Sequence, residues 1–473
     1  MKTTYFALAI AGLAVAACNE PNEPNLNGPN VSDFSTITTL AQVQDLVTGV
    51  LRGDRVQAEN EIIEGEIMGR DLFNLTSSEF RWETQLLGPG IDPSGFLGNR
   101  IWPFANIRLA NIGISGVSAA AASLLNAQDK PATLGFLRTI KGLEYLRAVE
   151  TRDTAGAPID VGADPLAPPA PLRCKHDVLN YIAALLDSGA VNLAAGGSSF
   201  PFTVPADFVG FDSPAGFLTF NRALAAKTFV YLAFRNYASG GIPDVVALDS
   251  ANAALAGSFM VASSALLNLG PAHDYSTSTG DAQNTLFSGS PSNTTYFVNP
   301  LVLSEADPGD LRVKQKTDSA QSPTTVAGAA SNGTVYLLYL SPTSPTKIIT
   351  NKELLLLQAE VNWGLGGLAN DTKALAEADS VRKWDGGLAT DTTAATDVPG
   401  ILNRILYEKR YSLLFQGADR WLDARLFGKL NGARPPAGID SVRAYPPVQN
   451  VPLPFNEQSA RGGNLAQTCT SGP

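Results

Sequence analysis

Residues 401–428 read ILNRILYEKRYSLLFQGADRWLDARLFG, and this stretch decides the fold class of the chain. Apolar residues recur in it at helical spacing, and the same periodicity extends from Val398 to Leu430. Arg420 and Asp423 are spaced i,i+3, and Trp421 and Arg425 are spaced i,i+4, which are the separations at which side chains pair on one helix. We therefore predict a helical segment whose charged and aromatic side chains lock two helices together, in preference to a ligand site.

The same helical spacing recurs on both sides of this stretch, with breaks at glycine-rich points such as residues 364–367 and 385–387. Trp363-Gly364-Leu365-Gly366 and the helix that follows are like a degenerate tetratricopeptide repeat, whose consensus is only partly met. The sequence therefore predicts a mainly α fold of paired helices. The further predicted helices are Ile37–Arg55, Asn106–Asn126, Leu134–Thr151, Val178–Ser188, Phe220–Tyr237, Thr350–Leu365 and Asp371–Lys383.

The region from about residue 240 to residue 346 lacks this periodicity over most of its length. Between Gly270 and Thr346 the composition turns to Ser, Thr, Asn, Pro and Gly with interspersed aromatic residues. Such composition is typical of long surface loops with a few short strands, and functional residues are often carried on loops. We predict that this region supplies an irregular face that binds a ligand.

The quoted stretch resembles the SusD/RagB family, whose signature reads roughly ER-x-x-EL-x-FEG-x-RW-x-DL-x-R-x-G. Ser412 and Gln416 stand where the family usually has glutamates, which weakens the charge pairing and leaves the frame intact. Gly417 is expected to permit a close turn. The residues that fit the signature are Glu408, Arg410, Leu413, Phe415, Gly417, Arg420, Trp421, Asp423, Arg425 and Gly428.

Further stretches follow in family order and extend the resemblance over nearly the whole chain. They are residues 136–145, 223–231, 310–312 and 354–360, and the closing segment Val451-Pro452-Leu453-Pro454-Phe455-Asn456-Glu457 with Asn464-Leu465. The family implies tetratricopeptide-like helix pairs packed as a scaffold, with a loop-rich face that holds the ligand, and it implies no catalysis. It also implies glycan or peptide capture beside a SusC-like TonB-dependent transporter in the outer membrane.

The N-terminal residues carry the features of a bacterial lipoprotein signal. Lys2 is followed by an apolar run over residues 5–17, which is too short for a helix that crosses a bilayer, and Val15-Ala16-Ala17-Cys18 is similar to a lipobox. We predict a signal peptide at residues 1–17, acylation of Cys18, a flexible tether at residues 18–30 and one helical domain at residues 31–473. Asn19 favours the outer membrane, and the family resemblance implies a lipid-anchored protein that faces the cell surface.

Composition excludes some classes of partner and leaves one pairing open. The formal net charge of −10 argues against a nucleic-acid footprint, which needs a basic face. Cys174 and Cys469 are the cysteines beyond Cys18, so they either form one disulfide or remain as two free thiols. No cysteine-rich metal site is possible, Asp160 to Asp164 lacks the other ligands of a calcium loop, and we predict no metal and no cofactor.

Candidate ligand contacts are aromatic and amide side chains in the predicted loops, because sugars stack their CH faces on exposed aromatic rings. Any one of these side chains could instead pack against the scaffold. The candidates are Trp82, Asn99 and Trp102 in a Gly/Pro-rich stretch between helices, and Tyr275, Tyr296 and Phe297 in the long loop region.

Catalysis finds little support in the sequence. His176 and His273 are the two histidines, and neither an HExxH motif nor a GxSxG elbow is present. Glu61, Glu64 and Glu66, or Asp92, could supply the carboxylate pair of a glycosidase, although solvated acids explain them more simply. We predict a non-enzymatic lipoprotein that binds an extracellular nutrient, with a glycan preferred to a peptide. The alternatives are a lipid-anchored helical scaffold that binds an envelope protein and, third, an envelope glycosidase.

Overall fold

The computed structural model describes residues 31–87, 90–95, 97, 100–164, 167–390, 398–430, 447–463 and 469. The predicted signal peptide, Cys18, the tether and Asn99 lie outside these residues. Within the described part, no helix combines the length and apolarity needed to span a membrane.

Helices form most of the described chain, which confirms the prediction of a mainly α fold. Single turns of 3-10 helix occur at Val31–Ser35, Asp153–Ala155, Ala206–Phe208, Tyr237–Ser239 and Ser264–Leu266. The α-helices are α1 (Leu40–Met68), α2 (Arg81–Leu86), α3 (Phe104–Ala119), α4 (Asp129–Arg152), α5 (Lys175–Ala194), α6 (Pro214–Phe234), α7 (Val245–Ala256), α8 (Pro300–Ser304), α9 (Leu311–Lys316), α10 (Asn351–Leu365), α11 (Leu368–Trp384), α12 (Val398–Leu413), α13 (Asp419–Leu426) and α14 (Phe455–Ala460).

The strands are short and antiparallel. One sheet has the order β1-β5-β9-β6, and Phe73 of its first strand faces Phe297 of the second. The pairs β2-β3, β4-β10 and β7-β8 form separate two-stranded ladders. The strands are β1 (Leu72–Asn74), β2 (Ala157–Pro158), β3 (Leu172–Arg173), β4 (Ala272–His273), β5 (Tyr296–Val298), β6 (Thr317–Asp318), β7 (Thr324–Val326), β8 (Ala329–Ser331), β9 (Val335–Tyr336) and β10 (Thr346–Lys347).

Consecutive helices pack side by side, as the predicted helix pairs require. Helix α4 packs on α5, α5 on α6, α6 on α7, and α10 on α11. Close approach depends on small residues: a Cβ added to Gly142 of α4 would lie 2.8 Å from Cδ2 of Leu186 on α5. These pairs enclose one large hydrophobic core. A second core lies where Phe73, Tyr411 and Trp421 meet, and it joins the quoted stretch to the four-stranded sheet.

Helix α1 is longer than predicted and organises both cores. It begins at a capping box in which Thr39 accepts from the Gln42 backbone N–H. It ends at Met68, thirteen residues beyond the predicted end at Arg55. The residues beyond Arg55 include buried glutamates such as Glu61 and Glu64. Because these charged residues interrupt the apolar spacing of a core-facing helix, hydrophobic periodicity did not predict this part of α1.

The segment predicted as one helix from Val398 to Leu430 is two helices, and this part of the prediction is wrong. Helix α12 ends at Leu413 and α13 begins at Asp419. The left-handed residue of the connecting turn is Phe415, with φ of 57°, and not Gly417. Gly417 is needed for space instead, because a Cβ there would lie 2.7 Å from Oδ2 of Asp419. The turn is held by Glu66, which accepts the Phe415 backbone N–H at 2.6 Å.

Two further expectations concern the region from 240 to 346 and the pair Cys174 and Cys469. The region from 240 to 346 consists mainly of loops and two- or three-residue strands, but it also contains α7, which was not predicted. Asp244 caps α7 by accepting from the backbone N–H groups of Val246 and Ala247.

Cys174 and Cys469 form a disulfide, which resolves the alternative left open by the sequence and ties the C-terminal segment to the start of α5.

Candidate ligand-binding cleft

A polar stripe runs along α1 on the side that faces the loops. Gln44, Thr48, Arg52, Arg55 and Glu59 follow one another at steps of four, four, three and four residues, so they share one helix face. The apolar residues of the same helix, including Val43 and Val50, point into the large core. Helix α1 therefore presents a line of hydrogen-bonding groups to the loop-rich face.

Two arginines of the stripe hold a loop that closes one side of a cleft. Arg55 donates from Nη1 to the Asp274 carbonyl at 2.8 Å and from Nη2 to Oδ1 of Asp281 at 2.9 Å. Arg52 donates to the Gly280 carbonyl at 2.6 Å. The Arg55 guanidinium also lies 5.0 Å from the centroid of the Tyr275 ring. The loop from 274 to 281 is thus fixed against α1 at several points.

The opposite wall is fixed by Gln44. Its Nε2 donates to the Thr203 carbonyl at 3.0 Å, and its Oε1 accepts the Thr203 backbone N–H at 2.8 Å. This paired contact holds Val204 and Pro205 at the edge of the cleft. Both walls are therefore built before any ligand arrives, which lowers the ordering cost of binding.

The cleft between these walls has a volume of about 440 Å³. Its floor and one side are apolar, with Val47, Leu51, Val204 and Pro205. A few polar groups converge on an apolar concave surface, which is the usual composition of a small-molecule site. The polar lining consists of Gln44, Thr48, Arg52, Arg55, Thr203, His273, Asp274, Thr279 and Asp281.

The carboxylates of the cleft differ in their surroundings. Burial raises the pKa of Asp274, and the nearby Asp207 raises it further. Burial raises the pKa of Asp281, but the hydrogen bonds from Arg55 and the Ala282 backbone, together with the charges of Arg55 and Arg52, outweigh it, so the pKa of Asp281 is lowered. The His273 ring pairs with the buried carboxylate of Asp54, with Nε2 at 2.6 Å from Oδ2. Asp281 is thus an anchored acceptor, and Asp274 is a half-buried acid at the cleft wall.

The quoted signature residues lie apart from this cleft and form buried ion pairs. Arg410 contacts Asp71 at 2.6 Å, Glu408 contacts Arg312 at 2.7 Å, and Lys409 lies 2.9 Å from Asp423. Each of these six side chains is at most 6% exposed. The signature therefore builds a network between helices, as we predicted.

The partners within this network differ in part from those predicted. Arg425 lies over the Trp421 ring at 4.5 Å, as its spacing indicated. The Asp423 carboxylate, however, accepts a hydrogen bond from Lys409 of α12. Arg420 donates to the Gly69 carbonyl at 2.8 Å. Ser412, which stands where the related family usually has a glutamate, accepts from Nη1 of Arg312 at 3.0 Å.

No family model and no curated protein matches the sequence. Solved structures match its fold. A SusD superfamily protein from Parabacteroides distasonis superposes with a TM-score of 0.65 at 13% identity, over 90% of this chain and 98% of that one. A SusD-like carbohydrate binding protein from Bacteroides vulgatus gives 0.59 at 15% identity, over 83% and 84%.

This chain has a SusD-like fold. The resemblance of residues 401–428 is thereby confirmed at the level of the fold. A further match with a TM-score of 0.57 and 13% identity, covering 82% of each chain, is a structure solved with xylogluco-oligosaccharide. The SusD-like scaffold places helix pairs on one side and the loop-rich region on the other side of α1.

Four of the six candidate ligand contacts are buried in the SusD-like fold, so the expectation that they are exposed is wrong. Tyr275 is 6% exposed, Tyr296 7%, Phe297 4% and Trp82 7%. The hydroxyl of Tyr296 donates to the Thr285 carbonyl, and that of Tyr275 pairs with Thr346. Stacking a sugar on any of these rings would require their segments to move.

The structure nevertheless places two of these aromatic residues, Trp82 and Tyr296, near Arg100, which binds Glu64 in the second half of α1. The Arg100 guanidinium lies 5.1 Å from the Trp82 ring and 2.8 Å from Oε1 of Glu64. Burial raises the pKa of Tyr296 to about 12, against the opposing charge of Arg100. Trp102 is half-buried and packs on Phe104, with ring centroids 4.4 Å apart.

The glutamates considered for glycosidase chemistry are held in structural contacts. Glu61 pairs with Arg147, Glu64 with Arg100, and Glu66 with the Phe415 backbone. Asp92 lies in a turn, where it accepts from Ser94 at 2.9 Å. In the described part of the chain, no group of three or more His, Cys, Asp or Glu side chains is arranged to hold a metal ion.

The residues of the cleft that sequence reasoning missed are Gln44, Arg52, Arg55 and Asp281. A signal for the first three was present, because they lie opposite the apolar face of the helix predicted at residues 37–55. Asp281 carried no such signal, since it reaches the cleft through a loop contact with Arg55, 226 positions away in sequence.

Proposed function

We propose that this protein is a lipid-anchored, outer-membrane, SusD-like protein that binds an extracellular oligosaccharide and delivers it to a SusC-like TonB-dependent transporter. The observation that carries the binding proposal is the preformed cleft beside α1. Its SusD-like neighbours include a carbohydrate binding protein and a structure solved with xylogluco-oligosaccharide, which supports a glycan as the ligand. We further propose that the protein binds its ligand without cleaving it.

The cleft has the chemistry that an oligosaccharide needs. Sugar rings present CH groups on their faces and hydroxyls at their edges. Val47, Leu51 and Val204 are buried, so the half-buried Pro205 at the cleft edge can cover a ring face, while Arg52 and Asp281 can donate to and accept from hydroxyls. Each hydrogen bond to a charged group contributes about 1.5–3 kcal/mol, so a few such contacts fix orientation.

Attachment and delivery are proposed from the sequence. Cys18 follows a lipobox-like segment, and acyl chains on its thiol and amine would anchor the protein to a membrane by burying CH₂ groups. Mass spectrometry of the purified protein should show an acylated N-terminal cysteine. Pull-down from solubilised outer membranes should recover a large barrel transporter. Recovery of envelope proteins without a transporter would favour the scaffold alternative.

The binding proposal is tested with the purified mature chain and a panel of neutral and acidic oligosaccharides and peptides. Arg52→Ala should weaken binding of the best oligosaccharide about tenfold, because it removes a charged donor from the cleft. Arg108→Ala is the matched control: Arg108 also donates to a glycine carbonyl, that of Gly162, but it does not line the cleft. Equal effects of the two substitutions, or binding of peptides alone, would overturn the proposal. Mass spectrometry of the recovered sugar tests whether it remains uncleaved.

A further inference from the structure

Three buried side chains of the scaffold meet where α10, α12 and α13 come together. Nζ of Lys409 on α12 lies 2.9 Å from Oδ1 of Asp423 on α13 and 2.9 Å from Oε1 of Glu360 on α10. Lys409 and Glu360 are 0% exposed, and Asp423 is 4% exposed. An amine, a carboxyl carbon and a second carboxylate that can carry a proton are therefore held together away from bulk water.

Burial affects where the protons of this triad lie. It raises the pKa of Asp423 to about 7 and also raises the pKa of Glu360, against the opposing charge of Lys409. Burial lowers the pKa of Lys409, but the charges of Asp423 and Glu360 outweigh it, so the pKa of Lys409 is raised. The resting group is thus an ion pair. Transfer of one proton from Lys409 to Asp423 removes two buried charges and with them a desolvation cost.

We propose that Lys409 and Asp423 join in an isopeptide bond, with Glu360 as the group that carries a proton during the reaction. Once one proton has passed from Nζ to the Asp423 carboxylate, the neutral amine attacks Cγ of Asp423, whose Oδ1 it already contacts. A C–N bond forms and one C–O bond breaks. Glu360 takes a second proton from Nζ and delivers it to the departing hydroxyl, which leaves as water. The water contains both protons of Lys409 and one oxygen of Asp423, so no other reactant is needed.

Two other buried lysines of the scaffold lack this arrangement. Lys175 pairs with Asp153, but the third group there is Arg425, which cannot accept a proton. Lys227 lies 3.3 Å from Asp419, and the charges of Lys227 and Lys409 outweigh burial and lower the pKa of Asp419. That carboxylate stays ionised and is a poor electrophile. We therefore assign the bond to Lys409 and Asp423 alone among these three pairs.

The bond joins α12 to α13 across the turn that connects them. It closes a loop over residues 409–423, and a crosslink that closes a loop restricts the unfolded chain. Salt and pH weaken an ion pair, whereas neither breaks an amide under mild conditions. The connection between the two signature helices would thus persist outside the cell under conditions that disrupt the other ion pairs of the network.

The test is peptide mass spectrometry of the full purified protein after denaturation and digestion with trypsin. Trypsin cuts after Lys and Arg, but not after a lysine whose Nζ is acylated. The bond predicts a branched peptide in which residues 405–410 are joined to residues 421–425, lighter than the two peptides together by the mass of one water. Fragmentation should place the link at Lys409 and Asp423. Recovery of residues 405–409 and 421–425 only as separate linear peptides would overturn the proposal and leave the group an ion pair.

Two variants test the assigned roles. Glu360→Gln preserves the size of the side chain but removes the proton carrier, so linear peptides should replace the branched one. Asp423→Ala should also abolish the branched peptide, because it removes the carbon that is attacked. Glu377→Gln is the matched control and should retain the branched peptide, since Glu377 is also a largely buried helical glutamate but contacts Asn362.

Circular dichroism identifies any variant that fails to fold. The digest of the native protein decides the proposal even if both triad variants do so. A branched peptide that persists in folded Glu360→Gln would overturn the role of Glu360. None of these outcomes depends on whether an oligosaccharide binds in the cleft.

Discussion

Arg410 and Asp71 form a buried ion pair between residues 339 positions apart in sequence. Nη2 of Arg410 lies 2.6 Å from Oδ1 of Asp71, and each side chain is 1% exposed. The same guanidinium reaches Glu305 at 2.7 Å. Arg410 thereby joins α12 to the turn after α1 and to the end of α8, and so connects the helical scaffold to the sheet.

Arg410→Ala should lower the free energy of unfolding by about 3–5 kcal/mol, because it leaves the Asp71 carboxylate buried without this partner. Denaturant unfolding measures the change. Arg108→Ala, which removes one hydrogen bond from a half-buried arginine, should cost about 1 kcal/mol or less. Similar losses in the two variants would show that the signature network does not hold the fold together.

Trp82→Ala and Tyr296→Ala should each lower the free energy of unfolding by about 3 kcal/mol, because both rings are buried. Oligosaccharide affinity per folded molecule should stay unchanged, since neither residue lines the cleft. Unfolding curves and calorimetric titration of the same samples separate the two effects. Weakened binding with unchanged stability would restore these aromatic residues as ligand contacts.

Much of the scaffold could be predicted from the sequence, because helices with one apolar face reveal their period. The pattern failed where ion pairs replace apolar contacts. Glu61 and Glu64 are buried on α1, where they contact Arg147 and Arg100. From the sequence alone, both glutamates are expected to face solvent. Helix α7 was not predicted for a different reason. Its buried face consists largely of alanines, which contribute little to the hydrophobic periodicity.

The cleft was harder to predict than the fold. Aromatic residues such as Tyr296 were expected to be exposed because their flanking sequence is loop-like, yet β5 carries Tyr296 into the second core. The cleft depends on contacts such as Gln44 with Thr203, 159 positions apart, which no local pattern encodes. A network of charged side chains in the signature was predicted. The pairing of Asp423 with Lys409 was not, because Arg420 was expected in that place.

Glu64 should make stability depend on pH. Burial raises the pKa of Glu64 to about 8, against the effect of Arg100. Between an unfolded pKa near 4.5 and this value the native state holds a proton that the unfolded state releases, so stability falls as pH rises. This group contributes a slope of at most about 1.4 kcal/mol per pH unit. Glu64→Gln should flatten unfolding free energy against pH over this window, and an identical slope would refute the assignment.

The disulfide between Cys174 and Cys469 should stabilise the protein by about 2–4 kcal/mol, because it restricts the unfolded chain. Reductant should lower the unfolding free energy of the native protein by this amount. A variant with both Cys174→Ser and Cys469→Ser is the control and should not respond to reductant. No response in the native protein would mean that the bond contributes little.

A crystal structure of the protein with the oligosaccharide that binds best in the panel tests most directly whether the cleft beside α1 is the ligand site. We expect a sugar ring against Pro205, with hydroxyls in hydrogen-bond contact with Arg52 and Asp281. A sugar bound on another face, with the cleft beside α1 filled by solvent alone, would contradict it.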